Sequence, residues 1–148
     1  MIIALFAVAG VSAQSNNSPL MIAHRGGWTQ RIFTTADGKT QKEFVVPENS
    51  VAAVGMAKRF GYAGIECDVQ YTADSVMVIM HAKTINRTMR RAADYSPVTE
   101  PVKVSGVSFE TLRREYVLAS DDPAMRVPIP TLEELLTECK KQGMLAVL

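Results

Sequence analysis

The sequence predicts an α/β fold with a mainly parallel sheet, amounting to the N-terminal half of a TIM (β/α)8 barrel. Three observations carry that expectation. Short apolar runs alternate with helical patterns along the chain. Several of the runs end on polar, chemistry-bearing residues, as barrel strands do at their C-terminal ends. Four expected strands and about three helices account for 148 residues, where a whole barrel takes ~250. The chain is accordingly divided into a leader at 1–13, a polar spacer at 14–19 and a barrel portion at 20–148, with the last strand lacking a flanking loop, as in a barrel cut short.

Residues 20–23 form the first expected strand, a short buried run that closes on His24. Gly26 and Gly27 then allow a sharp turn. Residues 28–44 keep no period and are expected as a loop or small excursion, with Asp37-Gly38 a turn. A helix is expected from Ser50 through Phe60, because Val51, Val54, Met56 and Phe60 make an apolar stripe and Gly61 stops it. Asn49 or Ser50 can cap its first turn. Residues 64–69 are the second strand and 76–80 the third, with a turn at Ala73-Asp74-Ser75. This connection is too short for a parallel crossover, so the two are antiparallel here or have dropped their helix.

Residues 82–101 are irregular, with Pro97 and Pro101 opposing a long helix. Residues 108–117 are expected as a short helix with Phe109, Leu112 and Tyr116 on one stripe. Thr131-Leu132-Glu133-Glu134 is a capping box, and Leu132, Leu135, Leu136 and Cys139 share an apolar face that Gly143 ends. Residues 144–148 begin the fourth strand.

Hydrophobic residues at 47% and charged residues at 21% suit a chain that builds a core. A net charge of +1 gives no electrostatic basis for nucleic acid or an anionic membrane as main partner. Arg87, Arg90 and Arg91 are the densest basic spot and read as a solvated face. Met1 to Val11 is apolar apart from one glycine, and Val11-Ser12-Ala13 fits signal-peptide cleavage, so export to the periplasm or exterior is expected. The usual positive start is missing, and the alternative is a hydrophobic first strand. The run is too short to span a bilayer. Cys67 and Cys139 read as buried thiols, with a disulfide as the alternative in an exported protein. Asn16-Asn17-Ser18 and Asn86-Arg87-Thr88 match the glycosylation acceptor pattern. The oligomeric state is not legible.

Strand alternation puts Glu66 and Asp68 on one face and Cys67 on the other. Such a carboxylate pair suits one hard divalent cation, Ca²⁺ or Mg²⁺, and a pair inside an apolar run needs a partner for its charge. A strand with one wet face is the plain alternative. His24 and His81 are the only histidines, and each closes an apolar run. Two imidazoles beside a metal-bound phosphate make a base and an acid. Arg25 can pair two phosphate oxygens at once.

The ordered set His24-Arg25-Gly26-Gly27, Pro47-Glu48-Asn49-Ser50, Glu66-Cys67-Asp68-Val69 and His81 to Arg87-Thr88 resembles the glycerophosphodiester phosphodiesterase family. That family is a TIM barrel of the phosphatidylinositol-phospholipase-C-like group, and the resemblance runs from about residue 20 to 148. It implies His24 as general base, His81 as general acid, Arg25 on the phosphate, and Glu66 and Asp68 on Ca²⁺ or Mg²⁺. It further implies attack by a glycerol hydroxyl of the substrate, then opening of the cyclic phosphate by water. The products implied are glycerol 3-phosphate and an alcohol such as choline or ethanolamine. Glu48 is taken as an anchor behind the site. Ala82 stands where the family usually has Asp, and the insert at 28–44 is longer than in compact members. The family's third metal-binding Glu and a phosphate-binding Lys are expected beyond Leu148.

Two other readings stay open at this point. One is a phospholipase-C- or sphingomyelinase-D-like lipid phosphodiesterase, which an apolar rim would favour and the polar insert does not supply. The other is a truncated, catalytically inactive half-barrel with open sheet edges; the 148-residue chain alone is expected to have little or no activity.

Overall fold

The computed structural model describes residues 5–6, 19–27, 31–34, 36–43 and 46–148. In chain order the elements are β1 (Leu5–Phe6), β2 (Ile22–Ala23), β3 (Arg31–Thr34), β4 (Thr40–Glu43), α1 (Val51–Arg59), β5 (Gly64–Glu66), β6 (Val69–Tyr71), β7 (Met77–Ile79), β8 (Met89–Arg91), α2 (Phe109–Glu115), β9 (Tyr116–Leu118), α3 (Leu132–Gln142) and β10 (Leu145–Val147). Single 3-10 turns lie at His24–Gly26, Val104–Gly106 and Pro123–Met125.

The main sheet runs β1-β10-β5-β2. β2, β5 and β10 are parallel, with Gly64 opposite both Ile22 and Leu145, and β1 lies antiparallel on the outer side of β10. α1 packs on β5, α3 on β10, and the two helices on each other. Ala23, Val54, Ala57, Ile65, Leu135, Cys139, Met144 and Ala146 close the core between them.

Among the described residues three parallel strands stand where four barrel strands were expected, counting residues 76–80 as the third. That segment forms β7, which pairs antiparallel with β6 in a hairpin, Val69 opposite Ile79 and Tyr71 opposite Met77. The short connection between them permits only this arrangement without a crossover helix. The expected strand at 64–69 is correspondingly split. β5 ends at Glu66, β6 starts at Val69, and Cys67-Asp68 between them changes partners: Cys67 N donates to Val147 O at 2.9 Å, and Asp68 O accepts from Met80 N at 2.8 Å.

The helix expected at 108–117 opens as predicted, Ser108 Oγ accepting from Thr111 N, but stops at Glu115. Tyr116–Leu118 continue as β9 against β8, Arg91 opposite Tyr116. Tyr116 is buried there all the same, since aromatic and β-branched residues suit a half-buried strand. Within the irregular stretch 82–101, Met89–Arg91 is therefore an additional strand. The segment around Asp37-Gly38 is the tip of a β3–β4 hairpin, Thr34 opposite Thr40, and Gly38 takes φ +79° in the turn.

α1 buries Ala53, Val54 and Ala57, whereas the expected stripe member Phe60 is half exposed. Small residues win this face because the turn after β2 comes close: a Cβ on Gly26 would lie 2.5 Å from Ala53 Cβ. Ser50 caps the helix, accepting from Ala53 N at 3.2 Å. The capping box of α3 is complete, with Glu134 N donating to Thr131 Oγ1 at 3.1 Å and Thr131 N to Glu134 Oε2 at 2.8 Å. Gly143 ends α3 at φ +64°, the left-handed conformation glycine adopts without strain. The leader's cleavage site and most of the polar spacer, at 7–18, lie outside the described residues.

Candidate active site

The site begins in the turn after β2. Arg25 takes φ +54° and Gly26 φ +80°, left-handed values that are uncommon outside glycine. Gly27 N donates to His24 O, and Asn49 N to Arg25 O, each at 2.9 Å. Asn49 is itself left-handed, φ +56°, and only 3% exposed. Its Nδ2 donates to Asp68 Oδ2 at 3.2 Å, and its Oδ1 accepts from Asp68 N at 3.4 Å. One buried amide thus ties the first turn, the start of α1 and the break after β5.

The charges converge on Arg25. Glu66 Oε2 accepts from Arg25 N at 3.0 Å and stands 3.9 Å from His24 Nε2. The guanidinium lies between two more carboxylates, Nε 3.6 Å from Asp68 Oδ2 and Nη1 3.6 Å from Glu48 Oε1. Arg25 Nε is buried without a hydrogen-bond partner. Arg87 holds Glu48 from the far side, Nη1 donating to Oε2 at 3.3 Å and Nη2 to Oε1. Burial pushes the Glu48 carboxyl up, but the hydrogen bonds and charge of Arg87, then Arg25 and His81, outweigh it and hold the group below its ordinary range. His81 follows Met80, whose N–H is bonded to Asp68, and its backbone O accepts from Gln70 Nε2 at 3.3 Å.

Five of the six residues expected at the site meet around one rim, His24 beside Glu66 and Arg25 between Glu48 and Asp68, and His81 stands near enough for its charge to help lower the Glu48 carboxyl. Cys67 turns inward, 1% exposed. Beside the exposed His24 imidazole, the Glu66 and Asp68 carboxylates keep their oxygens partly open, the side chains being 30% and 26% exposed. That donor set fits a hard divalent cation completing its shell with water or phosphate oxygens. Among the described residues no third His, Cys, Asp or Glu joins them in a metal-holding group.

Two residues of this rim escaped sequence reading as site members. Asn49 reads from the sequence as a helix cap and as part of the Pro-Glu-Asn-Ser motif, and neither reading marks it as the partner of Asp68. Arg87 reads from the sequence as part of a solvated face with Arg90 and Arg91; it is exposed, like Arg91, but it also pairs with Glu48. Asn86 beside it is committed to the fold, Nδ2 donating to Val98 O at 2.7 Å and Glu100 O at 2.6 Å, and Oδ1 accepting from Val102 N at 3.1 Å. A glycan on that nitrogen would replace one of its two hydrogens and remove at least one of these donations. Cys67 and Cys139 are free, buried and unpaired, and burial pushes their thiols to about 12 and about 11.

A cavity of about 170 Å³ adjoins the rim, lined by Pro47, Glu48, Arg87, Thr88 and Ala119. A larger groove of about 870 Å³ lies along α1 and the start of α3 and touches none of the six.

Comparison with known proteins identifies the family. The Glycerophosphoryl diester phosphodiesterase family matches residues 24–147. Glycerophosphodiester phosphodiesterase 1 of Mus musculus is 34% identical over 125 residues, which is 83% of this chain and 31% of the mouse protein. A glycerophosphoryl diester phosphodiesterase crystal structure from Parabacteroides distasonis superposes with a TM-score of 0.60 at 26% identity, covering 90% of this chain and 38% of that one. A phosphodiesterase from Oleispira antarctica, solved with the product sn-glycerol-3-phosphate, also superposes at 0.60, with 22% identity over 85% of this chain and 42% of that one. The chain spans about a third of the length of the curated relatives it matches. With its fold, its ordered motifs and this match in agreement, the chain belongs to the glycerophosphodiester phosphodiesterase family, as part of its α/β barrel.

Proposed function

We propose that the protein hydrolyses glycerophosphodiesters to glycerol 3-phosphate and an alcohol, and that this chain supplies the first part of its active site. The observation that carries the reading is the convergence of a histidine, an arginine and two cation-ready carboxylates on one rim, with the second histidine near it. His24 would act as general base and His81 as general acid, each exposed enough to exchange protons with substrate. Arg25 would hold the phosphate, its guanidinium being able to pair two phosphate oxygens at once. Glu66 and Asp68 would hold one divalent cation, Ca²⁺ or Mg²⁺. Such an ion, when bound, supplies charge stabilisation at the phosphoryl oxygens. Asn49 keeps Asp68 aimed by bonding both its backbone and its carboxylate. In this reading a glycerol hydroxyl of the substrate attacks phosphorus, the alcohol leaves with a proton from His81, and water opens the cyclic phosphate.

Export belongs to the same proposal and is supported by the apolar start and Val11-Ser12-Ala13. Among the described residues no helix is long and apolar enough to cross a membrane.

The test is hydrolysis of glycerophosphocholine by the full-length protein. The expected result is cation-dependent release of glycerol 3-phosphate and choline, lost on chelation and reduced ~10²–10⁴-fold in His24→Ala and in His81→Ala. Release of phosphocholine in place of glycerol 3-phosphate, or turnover indifferent to chelator, would overturn it.

A further inference from the structure

The reaction above leaves Arg87 without a task. It reaches Glu48 from the chain beyond His81, and its two terminal nitrogens donate to both carboxylate oxygens. The same carboxylate stands 3.6 Å from Arg25 Nη1, beyond the length of a good hydrogen bond. The two arginines therefore hold Glu48 unequally: Arg87 makes the hydrogen bonds, and Arg25 keeps only the attraction at a distance. Their depths differ too. The Arg87 side chain is 55% exposed, while Arg25 is 20% and Glu48 13% exposed.

We propose that Arg87 is a positioning residue that occupies Glu48 and thereby leaves the Arg25 guanidinium free for a phosphate oxyanion. The inference rests on the phosphate-holding role given to Arg25 above. Without Arg87, Glu48 would remain a mostly buried anion whose nearest cation is Arg25. A forked guanidinium–carboxylate pair is a strong and geometrically favoured contact, so Arg25 would close on Glu48 and withdraw its donors from the rim. Glu48 is thus a trap that Arg87 keeps shut. A lysine at 87 offers a single charged point and fills that trap only in part.

The experiment measures binding of inorganic phosphate and of sn-glycerol 3-phosphate to the full-length protein by calorimetry, with melting temperature as the check on folding. Arg87→Met should weaken both ligands by about tenfold, equivalent to ~1.4 kcal/mol, and Arg87→Lys should fall between. In the Glu48→Gln background the carboxylate that Arg87 occupies carries no charge, while Asp68 stays beside Arg25 Nε in every variant, so adding Arg87→Met should cost little and the double variant should recover most of the lost affinity. A double variant as weak as Arg87→Met would overturn the proposal, because Arg87 would then be touching the ligand itself. Unchanged affinity in Arg87→Met would overturn it as well. If Arg87→Met alone does not fold, the contrast of Arg87→Lys with the double variant carries the same decision.

Turnover in the same variants separates the two readings. The loss should fall mainly on KM, since Arg87 acts through binding of the phosphate. Hydrolysis by the wild type without the Glu48–Arg87 coupling removes this inference alone. The coupling without hydrolysis removes the reaction and leaves an anion site, and a wild type that binds no phosphate removes both.

Discussion

One region of the chain buries its apolar side chains between parallel strands and helices; the other does so between hairpins, turns and a single short helix. In the first, Ala23, Ile65 and Ala146 from three adjacent strands meet Val54, Leu135 and Cys139 from α1 and α3. In the second, Met80, Ile85, Met89, Leu112, Leu118 and Ile129 close on one another with two strand pairs and α2. The first region presents His24, Arg25, Glu66 and Asp68; the second brings His81 and Arg87. The two proposed proton-transfer residues therefore come from different architectures, and the site is a seam between them. β7 is the shared wall. Its alternating side chains send Ile79 into the first core and Val78 into the second, and the Met80 N–Asp68 O bond closes the seam beside the rim.

A shared wall predicts shared unfolding. Leu135 and Leu112 are both fully buried, one in each core. Truncation of either to alanine should cost ~2–5 kcal/mol. Denaturant unfolding followed by hydrogen exchange should show the two regions losing protection together in both variants. Two separated transitions, with one region still protected, would break the comparison by making each core an independent unit.

Backbone spacing gives a smaller effect confined to the parallel region. A Cβ on Gly64 would lie 2.6 Å from Leu145 O, whereas one on Gly55 in α1 meets nothing within 4 Å. Gly64→Ala should therefore destabilise by ~1–3 kcal/mol through overpacking of β5 against β10. Gly55→Ala should stabilise by ~0.5–1 kcal/mol by favouring the helix. Thermal melts of the two variants check this, and shifts of the same sign would contradict it.

The smallest effect tests the electrostatics of the seam. Glu48 is held below its ordinary value of 4.5 in the folded chain. Its ionised form therefore contributes stability that is present above the unfolded value and fades as pH falls through the folded one. Melting temperatures of wild type and Glu48→Gln should differ most near neutral pH and converge on acidification below about 4.5. Parallel curves across that range would remove Glu48 as the coupled group.

The same contrast explains what could be read from the chain. Barrel elements announce themselves locally: Ser50 before a periodic stripe, Thr131 with Glu134, and Gly143 after α3 each satisfy helix ends by contacts a few residues apart. Glu66 closes β5, but Cys67 and Asp68 lie in the break before β6, where bonds to Val147, Met80 and Asn49 fix their directions in place of strand alternation. The second region depends on pairings between distant segments, β8 with β9 and β6 with β7. Tyr116 could satisfy a helical stripe or a strand, and only the partner strand decides. Residues 76–80 were apolar enough for a barrel strand, yet their neighbour in space was not legible. The pairing of Arg87 was hidden for the same reason, because its partner lies 39 residues earlier.

The inward turn of Cys67, which keeps its sulfur off the rim, has a consequence for chemical probing. With both sulfurs sealed in the parallel core and their thiols pushed to about 12 and about 11, the folded chain offers almost no thiolate at neutral pH. Alkylating reagents and maleimide dyes will then report the opening of that core, so the two cysteines serve as built-in clocks of unfolding.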